Sequence, residues 1–593
     1  MCGIAGIYSY GGELVNRDEL LAIRDAMISR GPDGAGLWLG AGDRVGLAHR
    51  RLSILDLSDA GAQPMRDPTT GNGIVFNGEI YNYRELKREL EAAGRVFHSH
   101  SDTEVLLHLY AAHGVNMLER LRGMYAFALW NEPEGSLFLA RDPYGIKPLY
   151  YADDGHTIRF ASQVRALLKG KVDVHPEPAG HAGFFLWGSV PEPFTLYRGI
   201  RALPAGHWMR VDGRGASRPV DHASVTKLLA ASDEPTSLSR NDALAAIATA
   251  VRDSVAAHLV ADVPVGVFLS AGLDSTMLAG CAAMAGELRT VTLGFDEYAG
   301  SRDDEVPLAE ETARVLGAQH TTVRVGRADF EAERERLLAA MDQPSIDGVN
   351  TWFVARATAA QGLKVALSGL GGDELFGSYP SFTDVPRMAK LFSPLAGIPG
   401  LGSTVRLALA PLIRHFTSPK YAGLIEYGGS LGGAYLLRRA LFMPWELPVV
   451  LEPDMAREGW RALETRARLE AATTGIGNPR LAVSALEMIW YMRHQLLRDA
   501  DWAGMAHSLE IRVPFVDMSL LAHVAPILAA CPGISKREVA ATVAPLLPPA
   551  IFGRPKTGFS VPVQDWLLGP TARGERGLRG WAKVVYASGG WQA

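Results

Sequence analysis

The sequence predicts a multi-domain α/β protein in which a layered α and β unit precedes a doubly wound parallel α/β unit with added helices. Three observations predict it. The chain has 593 residues, too many for one hydrophobic core, and length alone suggests about three or four domain-sized units. The first ~210 residues carry short strand patterns and glycine-containing turns without a βαβ alternation. From about Asp242 strands alternate with helices, which is the rhythm of a parallel sheet.

Composition narrows the class. Hydrophobic residues make up 48% and charged residues 21%, as in an ordinary globular protein. The net charge of −5, from 59 basic and 64 acidic residues, gives no reason to expect a nucleic-acid partner. Cys2, Cys281 and Cys531 show no metal-type spacing, and a sparse odd count suits a reducing compartment. No charged segment precedes an apolar core at the start of the chain, so no signal peptide is expected. The most apolar stretch, Leu391 to Ile413, is interrupted by Pro394, Pro399 and Pro411 and carries Arg406. It reads as packed helices and turns and not as a membrane span. A cytoplasmic protein with no membrane partner is expected.

The elements follow in order. Strands are predicted at Gly73–Asn77, Met124–Trp130, Ser136–Ala140 and Thr157–Ala161, and helices at Asp18–Ser29, Tyr83–Ala93 and Thr103–His113. Residues 213–241 are polar, contain Pro219 and Pro235, and read as a linker. The expected division is therefore 2–212, the linker, and 242–593. In the last part, strands at Val263–Ser270, Leu288–Phe295, Thr321–Val325 and Leu363–Ser368 alternate with helices at Thr276–Met284 and Glu305–Leu316. Ligands of such sheets sit beyond the carboxyl ends of the strands, at a topological switch point. Two glycine-rich loops begin at strand ends of this kind. From about Pro380 the pattern is mainly helical.

Cys2 is the first candidate for chemistry. It follows the initiator Met1 and precedes Gly3, and removal of Met1 would leave a thiol and a free α-amine on one residue. The amine's reference pKa of roughly 7.7–8.0 lies near the thiol's roughly 8.5, so one residue would be both nucleophile and base. Four segments accompany it: Arg30-Gly31-Pro32-Asp33-Gly34, His49 to Asp56, Phe76-Asn77-Gly78-Glu79-Ile80-Tyr81-Asn82, and Ser101-Asp102-Thr103-Glu104. Taken singly, the first, third and fourth read as a turn, a hairpin turn and a helix cap.

Together, and in this order, they resemble the class II glutamine amidotransferase domain, an N-terminal-nucleophile hydrolase, over roughly Cys2 to Gly206. The resemblance implies an αββα sandwich. It also implies that Cys2 attacks the side-chain amide of glutamine to form a thioester, releasing ammonia and then glutamate. Asn77 and the Gly78 N–H would form the oxyanion hole. Arg51, whose guanidinium fork matches a carboxylate, would hold the glutamine α-carboxylate, and Glu79 and Asp102 its α-ammonium. Leu52, Ser53, Ile54 and Leu55 would line the glutamine site.

In the second half, Ser270-Ala271-Gly272-Leu273-Asp274-Ser275 joins an apolar strand to a helix. Backbone N–H groups of such a loop cradle phosphate, and no Walker-type lysine follows. The loop resembles the pyrophosphate loop of ATP pyrophosphatases, with Ala271 in place of the first glycine. Ser368-Gly369-Leu370-Gly371-Gly372-Asp373-Glu374-Leu375-Phe376-Gly377 and Ala506 to Phe515 resemble glutamine-hydrolysing asparagine synthetases. By that resemblance Asp274 and Asp373 are ligands of Mg²⁺ on the ATP phosphates, a hard cation taking oxygen ligands. Leu269, Ser270, Gly272, Ser275, Leu293, Ser368 and Gly369 would contact ATP, and Lys556 would stabilise negative charge during adenylation. Aspartate would be adenylated and ammonia would displace AMP. The resemblance is compatible with a homodimer.

The chain departs from that pattern near the expected acceptor. Leu370 stands where enterobacterial-type members have a glutamate. No basic residue occurs in Ser345-Ile346-Asp347, the region aligned with an upstream arginine. Trp502 replaces a further arginine of many bacterial members. A different carboxylate, such as a sugar acid or a peptide, is the alternative acceptor.

Overall fold

The computed structural model describes residues 2–232, 238–396, 398–416, 418–554, 562, 566 and 577–589, with the side chains of 409–416 left aside. The N-terminal half is built on strands β1 (Gly3–Ser9), β2 (Gly34–Gly40), β3 (Val45–Arg51), β4 (Met65–Arg66), β5 (Gly73–Ile80), β6 (Gly123–Asn131) and β7 (Ser136–Arg141). It continues with β8 (Tyr150–Asp153), β9 (Thr157–Ala161), β10 (Arg201–Ala202), β11 (His207–Asp212), β12 (Gly215–Ala216) and β13 (Val220–Asp221). One antiparallel sheet runs β10-β8-β9-β1-β3-β2, and a second runs β12-β11-β7-β6-β5-β4 with β13 beside β11.

The two sheets face each other, and alternation along the strands shows why. Ile4 and Tyr8 of β1 point inward with Val75, Ala126, Ala128 and Trp130 of the other sheet. Ala5 and Ile7 point outward against Leu20 and Ile23 of the helix Arg17–Asp25. On the far side, Phe76 and Phe127 pack on Leu86, Val105 and Leu109 of the helices Tyr83–Ala92 and Asp102–His113. Both faces of each sheet are therefore buried, giving the αββα sandwich.

Residues 213–241, whose composition reads as a linker, are structured over most of their described length. β12 and β13 extend the second sheet, and Val225 and Leu229 of the helix Val225–Ala231 enter the core of the C-terminal half.

That half holds five parallel strands, β14 (Val265–Phe268), β15 (Arg289–Phe295), β16 (Gln319–Val325), β17 (Val365–Leu367) and β18 (Glu510–Arg512), in the order β16-β15-β14-β17-β18. Helices cover both faces: Ile247 and Met277 lie in one core with Val267 and Ile511, while Trp352 and Ala503 lie in the other with Val291 and Leu293. The chain order reverses between β14 and β17. Both glycine-rich loops leave from these two strands, at the switch point where such sheets bind ligands. The apolar stretch near Leu391 forms parts of the helices Ser381–Ala396 and Leu401–Phe416. Among the described residues no helix is long and apolar enough to cross a membrane.

Charge is buried where the halves meet. Arg30, fully enclosed, pairs with Asp501 at 2.6 Å, and Arg122 pairs with Asp517 at 2.6 Å. Asp501 lies on the helix Leu497–Ala506, which continues a π-helical stretch, Glu487–Leu496; wound this way, the stretch also brings Arg493 Nε to the Tyr144 carbonyl at 3.1 Å. Removing one partner of a buried pair strands the other. Asp501→Ala should therefore lower stability by about 3–5 kcal/mol, and Arg30→Met with Asp501→Leu should recover most of that loss, as read by urea denaturation.

Candidate functional site

Cys2 enters β1 at the middle of the first sheet, and Asn77 sits in β5 of the second. The Cys2 N–H donates to Asn77 Oδ1 at 3.0 Å, which ties the two sheets together at this point. Asn77 Nδ2 is buried and makes no hydrogen bond among the described residues. An unsatisfied buried donor beside a thiol suits a developing oxyanion. Gly78 is required by close approach, since a Cβ there would lie 2.1 Å from the Met124 carbonyl oxygen on β6. Cys2 Sγ lies 3.9 Å from the Leu52 carbonyl oxygen. Burial pushes the thiol up, and the Glu510 and Glu79 carboxylates add to it.

The segment after Cys2's neighbour β3 is held as a loop. Arg51 Nη1 donates to the Ser58 carbonyl at 2.8 Å and Nη2 to that of Asp56. The Ser53 N–H donates to Asp33 Oδ2 at 2.8 Å, while the Ile54 carbonyl accepts from the Asp262 N–H at 3.0 Å. Leu52, Ile54 and Leu55 are buried. Ser101 caps the helix that starts at Asp102, and Asp102 Oδ2 accepts from the Ile80 N–H at 2.9 Å. Glu104 makes no capping box and turns back to the Ser99 and His98 N–H groups.

Residues of the other half complete this centre. Arg30 Nε donates to the Cys2 carbonyl at 3.0 Å while its outer nitrogens hold Asp501. Arg512 Nη2 lies 3.3 Å from Glu79 Oε1. Arg30 and the Glu510–Arg512 segment lie within the sequence motifs, but the motifs give no part to these residues or to Asp501. Local sequence carries no sign that they meet, because their contacts span the whole chain. Asp501 also lines a cavity of about 20 Å³ with Tyr150, Gln343, Arg498 and Trp502, room for one molecule the size of water or ammonia.

At the switch point, Ser270 Oγ and Ser275 Oγ are 2.8 Å apart, and the Gly272 N–H donates to Ser270 Oγ at 3.1 Å, which closes the first loop. The second loop comes against it: a Cβ on Gly372 would lie 2.1 Å from Asp274 Oδ1. The Ser368 N–H donates to the Arg512 carbonyl at 2.8 Å, and Gly369 backs onto Asp274. Leu269 and Leu293 are buried at the ends of β14 and β15. Asp274 and Asp373 both reach Lys536, whose Nζ is 2.5 Å from Asp373 Oδ1 and also pairs with Asp274 Oδ2. Burial works against this ammonium, and the two carboxylates outweigh it, so its pKa is raised. Two carboxylates meeting on one positive charge fit a hard divalent cation. Lys556 lies outside the described residues.

Two of the sequence departures meet. Ser345 Oγ donates to Asp499 Oδ2 at 2.8 Å, and Trp502 Nε1 donates to Asp499 Oδ1 at 2.7 Å. Burial and the neighbouring Asp347 push the Asp499 carboxyl up to about 8. Leu370 is half-buried and packs on the core containing Val267, whereas Trp502 packs in the one containing Leu293.

Residues 1–221 match the glutamine amidotransferase domain family, and residues 246–577 match the asparagine synthase family. The chain belongs to the asparagine synthase family. Within that family, a glutamine-hydrolyzing asparagine synthetase 1 of Bacillus subtilis (strain 168) is 31% identical over 577 residues, covering 96% of this chain and 88% of that protein. The glutamine-hydrolyzing asparagine synthetase 3 of the same organism is 29% identical over 551 residues, covering 88% and 80%. A relative named amidase chry2, from Gibberella zeae, is 32% identical over 418 residues, covering 64% and 60%. The family uses ATP, and this asparagine synthase-type chain carries both halves in that order.

The expectation that Asp102 meets the α-ammonium of glutamine carries its own pH test. Burial raises the Asp102 carboxyl to about 7, against the pull of the Ile80 N–H, so the anion needed for an ammonium forms only above that pH. The KM for glutamine should fall as pH rises through about 7, and Asp102→Asn should remove that fall. Steady-state glutaminase kinetics between about pH 6 and 8 would check it.

Proposed function

We propose that this chain is a glutamine-dependent asparagine synthetase. The observation that carries the reading is that Asp274 and Asp373, one on each glycine-rich loop at the switch point, meet on Lys536. Head-to-tail similarity to a glutamine-hydrolyzing asparagine synthetase over 96% of the chain supports it.

In the N-terminal half, with Met1 removed, the Cys2 α-amine takes the thiol proton. Sγ attacks the side-chain amide carbon of glutamine, and Asn77 Nδ2 and the Gly78 N–H receive the charge that develops on oxygen. The carbon–nitrogen bond breaks and ammonia leaves; water then cleaves the thioester to glutamate. Arg51 binds the α-carboxylate, and Glu79 and Asp102 bind the α-ammonium. In the C-terminal half, the loops from Ser270 and Ser368 hold the ATP phosphates, with Leu269 and Leu293 against the nucleoside. A side-chain carboxylate of aspartate attacks the α-phosphorus and pyrophosphate leaves. Ammonia adds to the acyl carbon, AMP departs, and asparagine remains. Asp274 and Asp373 would hold Mg²⁺, which when bound neutralises phosphate charge. Lys556 would stabilise charge in the same step. Both reactions suit a cytoplasmic, reducing setting, where Cys2, Cys281 and Cys531 stay free.

A second reading keeps the mechanism and changes the acceptor. Leu370 cannot replace a glutamate in kind, and Ser345 and Trp502, at two positions where the resemblance leads one to expect arginine, both donate to Asp499 instead. A relative with the name amidase chry2 is consistent with other acceptors on this architecture. Pyrophosphate release from ATP-Mg with saturating aspartate, using ammonia to bypass Cys2, separates the two. Release matched by asparagine is expected. No release with aspartate, alongside active glutamine hydrolysis, would establish the second reading.

A further inference from the structure

Arg512 belongs to β18 of the parallel sheet, yet its guanidinium faces the glutamine centre of the other half. The side chain is fully buried. Nε donates to Glu510 Oε1 at 2.6 Å, and Nη1 donates to the carbonyls of Val260 at 2.6 Å and His258 at 2.8 Å. A guanidinium has five N–H donors. Those left, on Nη2, make no hydrogen bond among the described residues and lie 3.3 Å from Glu79 Oε1. The backbone is equally fixed, since Ser368 N–H donates to the Arg512 carbonyl at 2.8 Å. Beside it stands Tyr81, its ring centroid 5.9 Å from the guanidinium carbon and its buried hydroxyl also without a hydrogen bond among the described residues.

A buried carboxylate lacking a cation takes up a proton, and a protonated Glu79 could not bind an ammonium. Burial does push Glu79 above the usual carboxylate range, and Arg512 is the largest influence in the other direction. Asp102 and Glu510, both buried, also feel Arg512. The donors on Nη2 face the Glu79 carboxyl, and that carboxyl is the group an α-ammonium would meet. The geometry points to Arg512 as a positioning residue of the glutamine site: its Nη2, 3.3 Å from Glu79 Oε1, fixes where and how the Glu79 carboxyl faces the α-ammonium, so the half that consumes ammonia sets the glutamine affinity of the half that makes it.

This inference rests on reading the Cys2 centre as a glutaminase. Its test is steady-state hydrolysis by the full chain of glutamine and of 4-carbamoylbutanoate, which keeps the amide and carboxylate but lacks the α-ammonium. Arg512→Gln should raise the glutamine KM at least about tenfold with kcat within about threefold, and should leave the KM for 4-carbamoylbutanoate unchanged. Adding Glu79→Gln to Arg512→Gln should raise it no further, because the two act as one unit. Arg512→Lys, which keeps the charge, should fall between wild type and Arg512→Gln, and it decides the matter by the same readout if Arg512→Gln does not fold. An unchanged glutamine KM, an equal rise for both substrates, or additive effects of the two substitutions would overturn the role of Arg512. Wild-type protein that hydrolyses no glutamine would instead overturn the glutaminase reading, and this inference with it.

Discussion

Charge buried between the two halves is the constraint on which the rest of this structure depends. Arg30, Arg512 and Arg122 lie at the boundary, and each meets a carboxylate across it, Asp501, Glu79 and Asp517 respectively. Desolvating an ion costs several kcal/mol even after relaxation, and apolar residues of similar volume would commonly hold such a boundary as well or better. What the charges add is direction. A guanidinium fork accepts its partners only in its own plane, so the sandwich can sit on the parallel sheet in few ways. The one it adopts points the Cys2 end of β1 at the helix Leu497–Ala506 and at β18.

The chemistry of nitrogen transfer explains why such placement is useful. Ammonia attacks a carbonyl only when unprotonated, and in bulk water near neutral pH most of it is ammonium. The Cys2 carbonyl, Arg30, Asp501 and the small cavity lined by Asp501, Gln343 and Trp502 form a series of contacts from the Cys2 backbone into the second half. The backbone of Arg512 likewise joins Ser368, the first residue of the second glycine-rich loop, to the strand that faces Glu79. The two centres thus share structural members, which a pair of domains on a loose linker would not do. The segment 213–241 agrees with this, because its described part is spent on β12, β13 and the helix Val225–Ala231.

Much of the fold was legible because local pattern decided it. Strands buried on both faces, such as β6 and β7, read as apolar runs, and the strand-then-glycine pattern after β14 and β17 marked both loops. Cys2 and Asn77 stood out by motif, and the structure brings them within hydrogen-bonding distance. Other features escaped for physical reasons. The strands β1 to β3 are rich in glycine and arginine, and β1 pairs with β9, about 150 residues away. The hidden roles of Arg30 and Arg512 depend on contacts that span hundreds of residues, and a buried arginine reads in sequence like an exposed one. The Ser345–Asp499–Trp502 cluster shows the same limit: two departures from the family pattern look independent until one carboxylate is found to hold both.

The most direct measurement follows the nitrogen. Product formed from amide-¹⁵N glutamine in an excess of unlabelled ammonium, with the acceptor that supports turnover, would be examined for its isotope content. The shared boundary predicts product that keeps nearly all of the glutamine label. Label diluted to the bulk ammonium ratio would contradict it, and would mean that the buried charges hold the halves together without joining their chemistry.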